Sequence, residues 1–308
     1  MSAEAALFAS QLVNGLQLGV MLFLLAAGLT LIFGVMDFMN LAHGSFYMVG
    51  AYVFGSLLLA SDNFVLALLL ALPLTALVGL AVELLIAQRL YMRSHLDQVL
   101  ATFGLLLMLD ATVHFFWGAE GLNVPTPDWL GGRVGLFGVE LPVYRAAIIA
   151  VGLAVALGLY AMVQKTRLGM LIRAGASNRT MAQALGVDIG RLFAMVFAIG
   201  AAVAGLAGMM ISPITGTSIG MGSEIIITAF VVVIIGGVGS IGGAFAGAMI
   251  VGVIDTLGRA YLDVLLAQVM TVENAETAAP ALSAMLIYVI MAAVLVLKPQ
   301  GLFPPQTR

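Results

Sequence analysis

The stretch IIITAFVVVIIGGVGSIGGAFAGAMIVGVI, Ile225 to Ile254, carries no charged side chain over 30 residues and sets Gly236, Gly237, Gly239, Gly242 and Gly243 near its middle. As one straight helix it would run about 45 Å, well beyond the ~30 Å apolar core of a bilayer. Two shorter helices joined at the glycines are therefore predicted, crossing twice or re-entering. Irregular backbone at membrane depth survives only where protein or a watery cavity covers it, so such a break points to a pathway. Gly239, Gly243 and Gly247 also have the spacing of a small-residue seam that lets helices approach closely. The two readings are compatible.

The rest of the chain reads as membrane in the same way. Of 308 residues, 12 are basic and 15 acidic, and 62% are hydrophobic. So few charges could not cover a soluble protein of this size, because much of a folded surface must still face water. Further uncharged runs lie at 5–36, 38–61, 63–82, 98–109, 146–164, 192–223 and 277–297, and the run from 98 extends to Trp117 if Asp110 and His114 are allowed inside. The expected fold is all-α: one polytopic membrane domain over 1–308, with about eight to nine transmembrane helices and a broken or re-entrant region. Glu4 without a nearby Lys or Arg gives no cleavable signal start, so residue 1 is expected to stay.

Basic residues gather at Arg89 and Arg93, at Lys165, Arg167, Arg173, Arg179 and Arg191, and at Lys298 and Arg308. By the positive-inside bias these stretches face the cytoplasm. The segment 61–63 and the Gly/Pro-rich loop 119–145 then lie outside, as does the N-terminus. The C-terminus comes out cytoplasmic only if 225–254 turns back, which places an acidic loop 255–276 outside.

Several chemistries are excluded. Without Cys there are no disulfides, thiolate metal sites or thiol nucleophiles. His43, His95 and His114 form no short metal spacing, and Val238 stands where a Ser240 nucleophile elbow would need Gly. Gly237, Gly239 and Gly242 imitate a dinucleotide fingerprint, but no βαβ unit surrounds them. Lys165 and Lys298 sit in no phosphate-binding loop, and a net charge of -3 implies no nucleic acid.

What stands out is the polar stretch 165–191 between two apolar spans, KTRLGMLIRAGASNRTMAQALGVDIGR. Ala174, Ala176, Ala182, Ala184 and Gly186 keep one helix surface slim, while Asn178, Arg179, Thr180 and Gln183 offer polar contacts. A slim helix of this kind enters a groove on a soluble partner. A loop serving only topology would need the basic residues but no Ala/Gly pattern.

With these residues in view, the chain resembles the inner-membrane permease subunits of ABC importers for branched-chain amino acids, the Liv type. GLTLIFGVMDFMNLAHGSFYMVGAY at 28–52, RAGASNRTMAQALG at 173–186 with FAIGAAVAGLAG at 197–208, and GGVGSIGGAFAGA at 236–248 carry the resemblance. The tail KPQGLF at 298–303 is similar to the family's ending, with Pro304 where Gly is commoner. The resemblance implies a multi-pass permease of the bacterial inner membrane working by alternating access. Its implied partners are membrane lipid, a second related permease, two cytoplasmic ATPases that bind ATP and Mg, and a periplasmic binding protein. This chain would carry no cofactor, metal or catalytic residue of its own. Carried over, Arg173, Asn178, Arg179, Ala182, Leu185 and Gly186 would form the coupling helix seated on an ATPase.

Polar groups at membrane depth mark the candidate translocation path, because they are costly in lipid. These are Asn14, Gln17, Asn40, His43, Ser45, Asp110, His114, Thr228 and Ser240. Asn40, His43 and Ser45 belong to the NLAHG region, where the chain re-enters after Asp37. Asn40 could alternatively cap the following helix. Asp110 and His114, four apart, share a helix face, either as a proton relay or as a buried structural pair. The stretch 212–224 is expected outside, as a gate or a connector. Urea or short amides are alternative cargo for the same architecture, and a stand-alone channel or ion-coupled carrier is the alternative of another class.

Overall fold

The computed structural model describes residues 3–136 and 139–303, which form eleven α-helices and one small hairpin. In chain order the helices are α1 (Ala3–Met36), α2 (His43–Ser61), α3 (Phe64–Leu85), α4 (His95–Trp117), α5 (Val143–Lys165), α6 (Arg167–Ser177), α7 (Arg179–Ala184), α8 (Ile189–Thr215), α9 (Met221–Gly236), α10 (Ile241–Leu266) and α11 (Val272–Leu297). Strands β1 (Arg133–Leu136) and β2 (Val139–Pro142) pair antiparallel in the loop between α4 and α5. Eight of these helices are long and apolar enough to cross a bilayer, and α9 is a shorter apolar helix. The polytopic all-α expectation holds, including the continuation of α4 through Asp110 and His114 to Trp117.

At the centre stand α1, α2 and α8, and small residues are what let them meet. A side chain at Gly208 would land on the Tyr47 carbonyl, one at Gly50 on Gly205, and one at Gly44 on Gly222. With lipid as apolar as leucine, such backbone-close packing replaces the hydrophobic drive between helices. The helices α3, α4, α5 and α11 form the rim and turn Leu69, Leu107, Leu157 and Val296 outward, where lipid or another membrane chain can cover them.

The helix ends gather on two faces. On one, the end of α1 touches the turn after α9 through Gly34 and Gly239, and Asp37 lies 3.9 Å from His95 at the start of α4. The segment 165–191 lies on this Arg-rich face. On the opposite face Trp117 donates to Ser56, Phe64 packs on Trp129 and Tyr144, and Leu122 exchanges hydrogen bonds with Thr217.

The predicted break is at residues 237–240. Gly237 and Gly239 hold φ values of 104° and 82°, a region open to glycine and strained for other residues. The packing seam is shifted from the expected one: Gly236, Gly243 and Gly247 pack α9 against α10, Gly239 belongs to the turn, and Gly242 faces open space. The tail closes this junction, since the Leu302 and Phe303 N–H groups donate to the Ile235 and Gly236 carbonyls at 2.9 and 3.0 Å. Those are carbonyls a helix end otherwise leaves without partners. Pro304 and Arg308 lie outside the described residues.

One expectation is corrected. The acidic loop 255–276 is mostly helix, with α10 running to Leu266 and α11 starting at Val272. Charge is tolerated there because Arg259 pairs with Asp255 one turn back at 3.0 Å. The stretch 212–224 joins α8 to α9 on the face where Thr217 meets Leu122, with Ile214, Thr215 and Ser218 exposed, and its end turns inward, where Gly222 begins α9 against Gly44.

Candidate functional site

The stretch 165–191 folds as two short helices rather than one. Asn178 ends α6 and caps α7, accepting from the Met181 N–H at 2.9 Å, so its side chain is spent on the junction instead of on a partner. Thr166 and Asp188 cap α6 and α8 in the same way, through the Gly169 and Arg191 N–H groups. α7 closes on Gly186 at φ 88°, with the Val187 N–H reaching the Ala182 carbonyl and the Gly186 N–H the Gln183 carbonyl. That pattern demands glycine at the turn.

Ala182 faces inward and is buried, as are Gly169, Ile172 and Gly175 of α6. Turned outward are Met170, Arg173, Met181, Leu185 and Gly186, and Leu185 is 78% exposed. Arg173 donates to the Val163 carbonyl at the end of α5. The surface therefore presents methionine and leucine on a rigid, well-capped base.

Arg179 connects this base to the core. Its guanidinium donates to the Val35 carbonyl at the end of α1 and lies 5.3 Å from the ring centre of Phe193 in α8. Phe193 in turn packs edge-on to Tyr91, and Tyr91 to Phe38. The Tyr91 hydroxyl donates to Glu83 at 3.1 Å, and burial together with that carboxylate holds it above the ordinary phenol range. Phe38, Glu83, Tyr91 and Phe193 were missed from sequence. Glu83, a carboxylate at the end of an apolar run, was the available signal.

A second group of sequence-selected residues meets at membrane depth. His43 begins α2 and its Nε2 lies 3.2 Å from the Leu25 carbonyl, eleven residues before the end of α1. At 1.5 Å per residue that is about 16 Å along α1. The chain therefore re-enters after Asp37, as expected, and residues 38–42 run inside the bundle without helix. Their backbone is satisfied by α4: Gln98 accepts from the Met39 N–H and Thr102 from the Leu41 N–H, each at 3.1 Å. Gln98 and Thr102, both buried, also escaped sequence reading.

Asn40, His43 and Ser45 are fully buried. Asn40 does not cap α2, whose start at Ala42 has no side-chain cap, and neither carboxamide atom has a partner among the described residues. His43 Nδ1 and Ser45 Oγ likewise have none there. α9 also starts without a side-chain cap, at Gly44, so two helix N-termini meet at this depth. Buried polar groups are nearly always paired, which sets this cluster apart.

The remaining candidates are scattered. Asn14 accepts from Arg145 of α5, Gln17 is buried in α1, and Thr228 is half-buried on α9. Ser240 lies at the Arg-rich end and caps α10, accepting from the Gly243 N–H at 3.0 Å. Asp110 and His114 form no hydrogen bond or ion pair with each other, and His114 is exposed on the rim. Among the described residues no three acidic or histidine side chains gather as a metal site.

A bundle of membrane-spanning helices with re-entrant segments and a capped surface module defines a polytopic membrane protein of the transporter class. The family model described as "Branched-chain amino acid transport system / permease component" matches residues 11–295, and the chain belongs to that family. It is 30% identical over 285 residues to the high-affinity branched-chain amino acid transport system permease protein LivH of Salmonella typhimurium, covering 85% of this chain and 89% of that protein. BraD of Pseudomonas aeruginosa, named as a permease protein of the same kind of system, is 30% identical over 276 residues, 84% of this chain and 90% of its own. A probable LivH from Methanocaldococcus jannaschii is 30% identical over 251 residues, 79% and 78% of the two chains. No solved structure matches.

Proposed function

We propose that this chain is one of two permease subunits of an ATP-driven importer that brings branched-chain amino acids into the cytoplasm across the bacterial inner membrane by alternating access. The observation that carries the proposal is the α6–α7 module: capped at both helices, with Met170, Met181 and Leu185 exposed among polar side chains, and linked through Arg179 to α1 and α8. A cytoplasmic ATPase seated on Met181 and Leu185 would push on the same helices that enclose Asn40 and His43. The Arg-rich face is then cytoplasmic, the loop between α4 and α5 is periplasmic, and a binding protein delivers the solute there.

In this reading Asn40, His43 and Ser45 are the groups that change partners when the central helices part. The Asn40 carboxamide, His43 Nδ1 and Ser45 Oγ lack partners among the described residues, and a two-state core gives such groups their partners in the other state. ATP and Mg belong to the ATPase chains.

The test is purification of the tagged protein from its native membrane in mild detergent, with mass spectrometry of what accompanies it. Two ATPases and a second permease in stoichiometric amounts are expected, with ATP hydrolysis stimulated by the binding protein and a branched-chain amino acid. A functional complex of this chain alone would sink the importer reading. Leu185→Asp should leave insertion intact and cut uptake at least tenfold, and normal uptake in that variant would unseat the docking assignment.

A further inference from the structure

Helices α2 and α9 run in opposite directions and begin against each other. α2 ends on the face where Trp117 donates to Ser56, and α9 ends at the Arg-rich junction closed by the tail. A side chain at Gly44 would fall on the Gly222 carbonyl and one at Gly222 on the Gly44 carbonyl, so the two first turns touch. Neither start has a side-chain cap, at Ala42 or at Gly220. The helices α5 and α11 also begin uncapped, but at the exposed Pro142 and Thr271, where water can serve. Ala42, Met221 and Gly222 are buried. The positive ends of two helix dipoles thus converge on one buried place.

A helix start by itself identifies no ligand; the side chains around these two do. Asn40, His43 and Ser45 are fully buried, and both carboxamide atoms of Asn40, His43 Nδ1 and Ser45 Oγ have no partner among the described residues. Ser45 sits in the first turn of α2, its Cα 3.1 Å from where a Gly222 side chain would begin, and the Asn40 carbonyl accepts from the His43 N–H at 3.4 Å. His43 Nε2 donates to the Leu25 carbonyl at 3.2 Å, since a carbonyl only accepts, and this makes Nδ1 an acceptor in the neutral ring. Donors and acceptors therefore stand side by side. No Lys or Arg occurs in 38–61 or 216–236. Glu224, the acidic residue in the first turn of α9, is exposed and stands about 200° round the helix from Gly222. A ligand of net charge is poorly matched to such a place, whereas a zwitterion is balanced by it. Phe46 and Ile226, both buried, supply apolar neighbours.

We propose that, in the state in which α2 and α9 part, their two starts and Ser45 hold the α-carboxylate of the transported amino acid, while His43 Nδ1 and Asn40 Oδ1 accept from its ammonium group. Free N–H groups at a helix start suit a carboxylate at membrane depth, where no water is at hand to solvate it. The proposal rests on the amino-acid importer reading above and adds the groups that recognise the head group.

The test uses the intact complex in lipid nanodiscs without its binding protein, so that only the membrane site is read. The probe is photo-leucine, a diazirine analogue of leucine with a free carboxylate and ammonium. Irradiation of the nucleotide-free and of the vanadate-trapped complex should label, in one state or both, the peptides holding 40–46 and 221–226. Leucine should suppress this label about tenfold, whereas leucinamide, which lacks the carboxylate, and isocaproate, which lacks the ammonium, should leave it. Label confined to other parts of the chain, no label in either state, or equal suppression by all three compounds overturns the proposal and leaves the importer reading intact. A complex that takes up no branched-chain amino acid with its binding protein present defeats that reading itself. As a separate measurement, Asn40→Leu and the smaller Ser45→Ala should unfold no earlier than wild type, because each removes a buried polar group that lacks a partner, yet take up about tenfold less label. Wild-type labelling of both variants, or earlier unfolding of both, also overturns the proposal.

Discussion

Gly208 in α8 and Gly158 in α5 occupy equally apolar helices, yet they live in different worlds. At Gly208 a side chain would strike the Tyr47 carbonyl of α2, while at Gly158 it would meet nothing within 4 Å. The centre of the bundle is finished within one chain. The rim is not: it is large-residued, half-covered, and in α4 carries a carboxylate with no partner among the described residues. Close backbone packing is confined to the centre, and the rim is left for lipid or another membrane chain to cover.

The largest effect that would break this comparison is at the centre. Gly208→Leu is expected to cost about 3 kcal/mol or more, because the added atoms meet backbone and not a side chain that can swing aside. Thermal unfolding in detergent should show little folded protein. Gly158→Leu should unfold within ~0.5 kcal/mol of wild type, and a comparable loss at both sites would erase the distinction between centre and rim.

A smaller contrast sits at the α9–α10 junction. Gly237→Ala should destabilise by about 1–2 kcal/mol, since its φ of 104° is strained for any residue with a Cβ. Gly242→Ala, with nothing within 4 Å and an ordinary helical position, should be neutral or slightly stabilising, within ~1 kcal/mol. Equal unfolding midpoints for the two variants would show that the turn is not held by its glycine.

In the α6–α7 module proposed to couple to an ATPase, Asn178→Ala removes the cap between the two helices and should cost about 1 kcal/mol locally. Faster hydrogen exchange across 179–184 and weaker stimulation of ATP hydrolysis are the expected readouts. Smallest of all, Arg133→Ala breaks an ion pair with Glu140 in which both side chains are largely exposed, and no measurable change in unfolding is expected.

The spans, the break at the glycines and the polar module were legible because each rests on a local signal. Twenty apolar residues, a run of glycines and a cluster of basic side chains are visible without knowing what lies across the fold. Asp255 misled for a related reason: a charge after an apolar run reads as a loop until Arg259, four residues on, is seen to pair with it. The polar stretch 212–224 looked like an exterior connector, and only the meeting of Gly222 with Gly44 shows that its end turns inward. Asn40 read equally well as a cap and as a pathway residue. The cap disappeared once the start of α2 proved to have no side-chain acceptor.

Sequence alone therefore determined that this chain lives in a membrane, roughly where it crosses, where its backbone must break, and which segment stands out by its polarity between apolar spans. These follow from hydropathy over one span, from conformations that only glycine adopts freely, and from caps that act within four residues. Tertiary structure alone decided that Arg179 reaches α1 and α8, that Gln98 and Thr102 hold the re-entrant segment, and that Asp110 stands on the rim apart from His114. Each depends on residues far apart in the chain coming together, or failing to, and no local periodicity encodes the partner across that distance.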